Sequence, residues 1–280
     1  MKPLILITGS TGFVGSHVLK YLISNEFYCR VILKNSTKFN YENNKNIEQV
    51  FRTNNIFNEN SEWWDKVCED IDLIIHLAWY TNPDDYLISK ENYDCLIGSI
   101  RMFNSAINAK VKKIVSIGTC FEYDLSQSVL SIQTPLKPIT AYAGSKAALF
   151  LSLSDWLATQ KISFSWCRLF YLYGEGEDER RLVPYIRRQI EKGWVAELTS
   201  GTQIRDYLDV VDAGRLIATI AMGDQCGPVN VCSGTPITVK QFAEQIADKY
   251  DRRDLLRFGV RADNSVDPPC VLGIPNHGLH

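Results

Sequence analysis

The sequence holds eight cysteines (Cys29, Cys68, Cys95, Cys120, Cys167, Cys226, Cys232 and Cys270) but no Cys-x-x-Cys pair. Zinc ribbons and dithiol redox centres use that spacing, so no metal is expected. The thiols sit mostly in apolar runs such as FSWCRLF and read as reduced, largely buried side chains rather than disulfides. Histidine is scarce: His17, His76, His277 and His280 read as structural, exposed or terminal. There is no basic excess, with 30 basic against 32 acidic residues and a net charge of -2, which excludes the electrostatic footprint of a nucleic-acid binder. No apolar run approaches the roughly 20 residues that a bilayer demands, so no membrane association is expected. The opening MKPLILITGSTG superficially resembles an export signal, but its apolar run of about five residues leads straight into a glycine-rich turn. The expected location is cytoplasmic. Repeats, linkers and low-complexity segments are also missing, and the asparagine-rich FNYENNKNIEQ reads as a polar loop.

What is present suits a large folded core: 45% hydrophobic and 22% charged residues in a 280-residue chain. Short β-rich runs alternate with longer amphipathic ones. PLILIT, CRVILK, IEQVFRT, IDLIIHLAW, VKKIVSIG and ISFSWCRLF read as strands. FVGSHVLKYLISN, ENYDCLIGSIRMFNSAINA and GSKAALFLSLSDWLATQ read as helices. Continuous apolar strands separated by helices predict an α/β fold with a parallel, doubly wound sheet covered on both faces. From about residue 171 the rhythm changes. A charged loop, YGEGEDERR, precedes the helical LVPYIRRQIEKG, two short strands in VAELTS and QIRDYLDV, and the helical DAGRLIATIAMG. GPVNVCSG then reads as a late strand of the main sheet and TVKQFAEQIADKY as a helix.

ITGSTGFVGSHV places Gly9, Gly12 and Gly15 between the first strand and first helix. Glycines there permit a tight turn and close approach to a pyrophosphate, which meets the free N–H groups of the helix. An acid about 20 residues further on would select NAD through the ribose 2′-OH. RVILKNSTK puts Lys34 there instead, with Ser36 and Lys38 behind it, which favours NADPH, with NADH the alternative. AYAGSK spaces Tyr142 and Lys146 four apart, on one face of a helix.

Together these motifs resemble the extended short-chain dehydrogenase/reductases, the nucleotide-sugar epimerase/dehydratase group. Further matches run in the same order. Asn55-Ile56 falls at the adenine-side Asp-Ile, and His76 to Trp79 at the H-x-A segment. RLFYLYGEG is similar to R-x-x-N-x-Y-G-P, with Tyr171 where Asn is usual. GTQIRDYLDVVDAG and VNVCSG match two later motifs. The resemblance implies a Rossmann domain over 1–170, to which about 205–250 return in part, and a smaller carboxy-terminal nucleotide-sugar-binding lobe mainly in 171–280. That lobe is expected to be short, because the family continues with a helix and strand after the segment matched by VDPPCVLG. The resemblance implies cofactor contacts from Gly9, Thr11, Gly12, Phe13, Val14, Gly15, Lys34, Asn55, Ile56, Leu77, Ala78, Phe170 and Leu172. Catalysis falls to Thr119, Tyr142 and Lys146, with Lys146 lowering the pKa of Tyr142 and holding the nicotinamide ribose. Ser116 is the weaker candidate for the Thr119 role.

For the substrate, the resemblance points to Trp79, Thr119, Tyr142 and Tyr171, with Arg205 on the diphosphate and Arg180 and Arg181 closing over the nucleotide. Arg205 has a salt bridge to the adjacent acidic segment as its alternative role, Arg180 and Arg181 a solvated loop, and Trp79 core packing. Dehydratases of the group carry Asp-Glu after the catalytic Thr; here Cys120 and Phe121 stand there. Enzymes resembling GDP-fucose synthase use a Cys two places on and a later His, and neither is in place. The expected reaction is NADPH-dependent reduction of the C4 ketone of a nucleotide-linked 4-keto-6-deoxyhexose, first dTDP-4-keto-6-deoxyglucose to a product such as dTDP-fucose. An NAD-dependent 4-epimerase and a non-catalytic NADPH-binding regulator stay open. Relatives commonly dimerise through the two helices holding SIRMFNSA and KAALFLSLSDWL, so a homodimer is expected.

Overall fold

The computed structural model describes residues 2–263 and 267–278; Val266 of the VDPPCVLG segment and His280 lie outside them. The chain enters at β1 (Leu4–Thr8), turns into α1 (Phe13–Ser24) and continues through β2 (Tyr28–Lys34), β3 (Ile47–Thr53), α2 (Ser61–Cys68), β4 (Leu73–His76), α3 (Glu91–Asn108) and β5 (Lys113–Thr119). A short β6 (Val129–Leu130) precedes α4 (Ala141–Thr159), β7 (Ser163–Leu169), β8 (Tyr171–Tyr173), α5 (Leu182–Glu191), β9 (Ala196–Glu197) and β10 (Ile204–Asp209). α6 (Val210–Met222), β11 (Gly227–Val231), β12 (Pro236–Thr238), α7 (Val239–Asp248), β13 (Leu256–Arg257) and β14 (Cys270–Gly273) follow.

Seven strands pair in parallel in the order β3-β2-β1-β4-β5-β7-β11, the expected doubly wound Rossmann sheet. Its strands are apolar throughout because successive side chains feed opposite faces and both faces are covered. Ile5, Ile7, Val31 and Leu33 pack on Val18 and Leu22 of α1 and Ile217 and Ala221 of α6. Leu6, Ile32, Ile74 and Ile114 meet Trp64 of α2, Met102 and Phe103 of α3, and Leu149 and Leu153 of α4. The strand order reverses between β1 and β4, which opens a crevice at the carboxyl ends of the strands.

Two local features depart from the sequence reading. The periodicity did not reveal α2, whose eight residues are too short to show a pattern; Asn60 caps it by accepting the Trp63 N–H at 2.9 Å. α4 begins three residues before the predicted GSKAAL start. Thr140 is its cap, accepting the Ala143 N–H at 3.1 Å, so Tyr142 lies in the first turn.

A second sheet, β12-β10-β14-β6, has β8 attached to β10, and β9 pairs with β13. Ile186 and Ile190 of α5 pack against Phe242 and Ile246 of α7 in a separate core. Strand β6, from the first half of the chain, pairs with β14 through Val129 and Leu272. Asp206, fully buried on β10, knots this region. Its carboxylate accepts from the Ser233 N–H and hydroxyl, both at 2.7 Å, from Gly234 N–H at 3.0 Å and from Gly273 N–H at 3.1 Å. All eight thiols are free, and six are buried. Among the described residues no metal-holding cluster occurs and no helix is long and apolar enough to cross a membrane.

Replacing Asp206 by Ala strands these buried donors. The expected loss is at least about 2 kcal/mol, since each unpaired buried group costs roughly 1–3 kcal/mol. A urea titration checks it: the midpoint falls clearly below that of the unaltered protein.

Candidate active site

The glycine turn builds one wall. Gly9 follows β1 at φ +71, and a side-chain carbon there would lie 2.7 Å from the Ala78 nitrogen. One on Gly15 would lie 2.0 Å from the Gly9 carbonyl oxygen. Gly12 caps α1 without a side chain, and no acid stands in its first turn. The free N–H groups and positive end of the helix therefore have no internal partner. This turn opens on a cavity of about 640 Å³ lined by Gly9, Gly12, Phe13, Val14, Gly15, Leu77, Ala78, Phe170 and Leu172. An uncapped helix end and a side-chain-free turn fit the pyrophosphate of a nicotinamide dinucleotide.

Four of the expected cofactor residues stand off this lining. Thr11 is exposed, and Lys34 is exposed at the end of β2. Asn55 caps a single turn over Ile56–Asn58 by accepting the Phe57 N–H at 3.0 Å, and Ile56 is buried beneath it.

Thr119, Tyr142 and Lys146 converge on the same cavity. Lys146 donates to the Ile117 carbonyl at 2.7 Å and lies 3.8 Å above the Trp79 ring. Burial pulls its ammonium down to about 7, while the negative charge of Glu122 pulls the other way. The expectation that Lys146 lowers the Tyr142 pKa is not met. Burial pushes the phenol up, Tyr86, Glu122 and Cys120 push the same way, and only the Thr119 hydrogen bond opposes them. The physical reason is that Lys146 is committed to the Ile117 carbonyl and is itself partly discharged near neutrality. Ser116 is buried within β5 and off the lining.

Trp79 and Tyr171 line the cavity as expected. The Trp79 indole donates to Asn92 at 2.9 Å, and Asn92 in turn donates to the Tyr86 and Ser89 carbonyls at 2.7 and 2.8 Å. One buried amide thus shapes the whole loop after β4. The two arginines need correction, because neither reaches the lining. Arg205 is buried, donates to the Ile204 carbonyl at 2.8 Å, lies over Tyr171 and pairs with Asp267 at 3.9 Å. It does form an ion pair, but with Asp267 and not with the adjacent acidic segment. Arg180 is tied to Asp178 and Asp84 across the mouth.

Arg181 lines the cavity instead, stacked 5.6 Å from Tyr86, together with Glu177 and Tyr207. Tyr86 itself sits edge-on to Tyr142, with centroids 5.1 Å apart. Arg181 was expected over the nucleotide; Tyr86, Glu177 and Tyr207 were not, the first two because they lie on irregular loops without periodicity and Tyr207 because it shows only as part of a motif. Burial pushes the Glu177 carboxyl up to about 7.

His76, at the end of β4, is locked neutral. Ser99 spends its proton on the Cys95 carbonyl at 2.6 Å, so it accepts from His76 Nε2–H at 2.9 Å. Nδ1 then accepts from the Thr8 hydroxyl at 2.8 Å, whose oxygen accepts the Ala78 N–H at 3.2 Å. Burial, helped by the Lys146 charge, holds this imidazole down at about 3 against an ordinary value of 6.5.

Residues 5–232 match the model of the NAD dependent epimerase/dehydratase family. Over 274 residues the chain is 23% identical to the dTDP-6-deoxy-L-talose 4-dehydrogenase (NAD(+)) of Aggregatibacter actinomycetemcomitans, covering 96% of this chain and 98% of that protein. Its fold is similar to that of the UDP-N-acetylglucosamine 4-epimerase from Methanobrevibacter ruminantium M1, with a TM-score of 0.85 at 22% identity, covering 99% of this chain and 91% of the other. It is similar too to a dTDP-glucose 4,6-dehydratase from Streptomyces venezuelae with NAD bound, with a TM-score of 0.80 at 19% identity over 97% and 88% of the two chains.

The state of His76 carries a stability prediction. Below 6.5 the unfolded chain takes up a proton that the folded one refuses until about 3. Stability therefore falls as pH drops through that window, with a slope of about 1.4 kcal/mol per pH unit from this group. Denaturant midpoints between pH 7 and 4 should fall less steeply in His76→Asn than in the unaltered protein.

Proposed function

This chain belongs to the NAD dependent epimerase/dehydratase family, and within it we propose that it reduces the C4 ketone of a nucleotide-linked 4-keto-6-deoxyhexose. One observation carries the reading: the proton-transfer set Thr119, Tyr142 and Lys146 faces a single cavity, and the two positions after Thr119 are Cys120 and Phe121. The Cys120 thiol is buried and its pKa pushed up, so neither residue can act as the acid or base that eliminating water needs there. Trp79, Phe121, Phe170 and Tyr171 make the nearby lining apolar. Such a wall accepts a methyl group at C6 and disfavours a hydroxyl left without a partner. The dehydrogenase relative named above carries a dTDP-6-deoxyhexose and position 4 in its name, which supports the same redox couple run in reverse.

The chain's own groups would act as follows. A bound reduced nicotinamide supplies the hydride for C4. The Gly9–Gly15 turn and the start of α1 hold the pyrophosphate, and Lys146 holds the ribose. The Thr119 oxygen accepts the Phe121 N–H at 3.3 Å, and its hydroxyl, which meets Tyr142 in the substrate-free chain, would turn its proton to the substrate carbonyl. Tyr142, kept protonated by burial, donates the proton that completes the alcohol. Arg181 is placed to meet the diphosphate with a charge-assisted bond. NADPH is the proposed cofactor, since Lys34 rather than an acid ends β2. A homodimer through α3 and α4 would cover Tyr93, Ile97 and Leu151, which are exposed here.

A second reading, an NAD-dependent 4-epimerase, is favoured by the likeness of fold to the 4-epimerase above and uses the same residues. Absorbance of reduced nicotinamide separates the two. With dTDP-4-keto-6-deoxyglucose, the reductase consumes NADPH stoichiometrically and faster than NADH. Tyr142→Phe should lower kcat by about 10²–10⁴-fold. No consumption, with a cofactor that co-purifies and does not exchange, overturns the reductase in favour of the epimerase.

A further inference from the structure

Directly beneath the reacting set lies a buried ion pair that the reaction does not touch. Glu122 and Arg168 are 0% and 1% exposed and meet at 2.7 Å. The Glu122 carboxylate also accepts the Trp166 indole N–H at 3.0 and 3.1 Å and the Thr119 N–H at 2.8 Å. Arg168 continues to the Tyr123 hydroxyl at 3.0 Å, and Tyr123 to Asn230 at 2.7 Å. Asn230 donates to the Leu130 and Ile274 carbonyls at 2.9 and 3.1 Å. Gly118 leaves the room: a side-chain carbon there would lie 2.2 Å from the Trp166 nitrogen.

For stability alone this is a poor arrangement. Two buried charges lose their hydration, and an apolar pair of similar volume commonly serves a core as well or better. The position of the carboxylate suggests another use. It completes a reciprocal cap with Thr119, whose oxygen accepts the Phe121 N–H while its backbone N–H goes to Glu122. That cap fixes where the Thr119 hydroxyl points.

We propose that Glu122 is a positioning residue: its carboxylate, held by Arg168, aims the Thr119 hydroxyl into the cavity and presents a fixed negative charge to Lys146 and Tyr142. The inference rests on those three residues being the reacting set. Tyr142 is faced by Tyr86 from the loop after β4, by Thr119 at the end of β5 and by Cys120 and Glu122 after it; Lys146 follows one turn along α4. Lys146 is faced by Glu122, by Cys95 of α3 and by His76 of β4. Within this group Glu122 supplies a full negative charge that opposes the desolvation of Lys146, because the neighbouring thiols are held protonated by burial. Burial raises the Glu122 carboxyl as well, and it is Arg168 that opposes this and favours the ionised form.

Two variants separate aim from charge. Glu122→Gln keeps the shape and removes the charge; Glu122→Asp keeps the charge and shortens the reach to the Thr119 N–H. In protein labelled with ¹³C at the lysine side chains, with the Lys146 signal assigned from Lys146→Arg, the Lys146 titration midpoint should fall by about one pH unit in Glu122→Gln. In Glu122→Asp it should hold, while kcat drops between about tenfold and a hundredfold with a smaller change in KM. Should Glu122→Gln not fold because Arg168 is left unpaired, the double variant Glu122→Gln/Arg168→Met removes both charges and reads the same midpoint. A merely structural Glu122 would lower the melting temperature and leave the midpoint and the kcat of the folded fraction unchanged, and that result overturns the inference. If the unaltered protein does not turn over 4-keto sugars, the reductase reading fails by itself, and the Lys146 midpoint still decides this one.

Discussion

The chain can pass from β1 into α1 only because residues 9 and 15 have no side chains. A carbon on Gly15 would stand 2.0 Å from the Gly9 carbonyl, closer than any atoms tolerate without moving the backbone. That contact sets the distance between the central strand and its helix, and much else follows from it. α1 packs beside α6 on one face of the sheet, its N-terminus opens on the crevice at the strand ends, and Gly9 lies against Ala78 at the end of β4. The crevice is thus formed by a packing rule before any ligand enters. Its polarity follows from the same geometry, since an uncapped helix start next to a parallel sheet concentrates unpaired N–H groups.

Two buried carboxylates, Asp206 on β10 and Glu122 after β5, join the short strands of the second sheet to the main one. Asp206 gathers backbone donors from the loop after β11 and from β14. Glu122, through Arg168, Tyr123 and Asn230, reaches Leu130 of β6 and the Ile274 carbonyl after β14. Strands of two to four residues bury too little apolar surface to hold a sheet together by themselves. Buried polar networks take over where strands are short, and they specify which segments meet. The site's floor and the carboxy-terminal segment are consequently parts of one hydrogen-bonded structure.

Much of this was legible in the sequence, and the rest was hidden for physical reasons. Six strands show as continuous apolar runs and their helices as runs of period 3.6, because a parallel sheet buried on both faces leaves no freedom at those positions. The glycine turn shows because backbone proximity excludes every other residue. Thr119, Tyr142 and Lys146 were legible through spacing and resemblance, and the fold brings them to one cavity. Arg205 was misread because a motif records that an arginine is present and not which way it points; here Tyr171, in place of the usual Asn, lies under its guanidinium. Tyr86 and Glu177 were invisible because two loops bring them in by an amide contact at Asn92 and by ion pairs at Arg180, neither of which has a period. The two-residue strand β6 is below the length at which alternation can be detected at all.

The chemistry of the site turns on a contest between burial and charge. Desolvation pushes Tyr142 toward its neutral form and Lys146 toward its neutral form as well, so both lean against the ion pair that a phenolate beside an ammonium would make. For reduction of a ketone this bias is the useful one, because the phenol must still hold its proton when the hydride arrives. The carbonyl of Ile117, the face of Trp79 and the charge of Glu122 stop the lysine from losing its proton altogether. In the proposed reduction an ammonium retained there would bind the ribose hydroxyls, and a phenol retained beside it would give its proton to the new alkoxide. The depth at which the pair is buried thus sets which protonation state of Tyr142 meets the substrate, the neutral phenol.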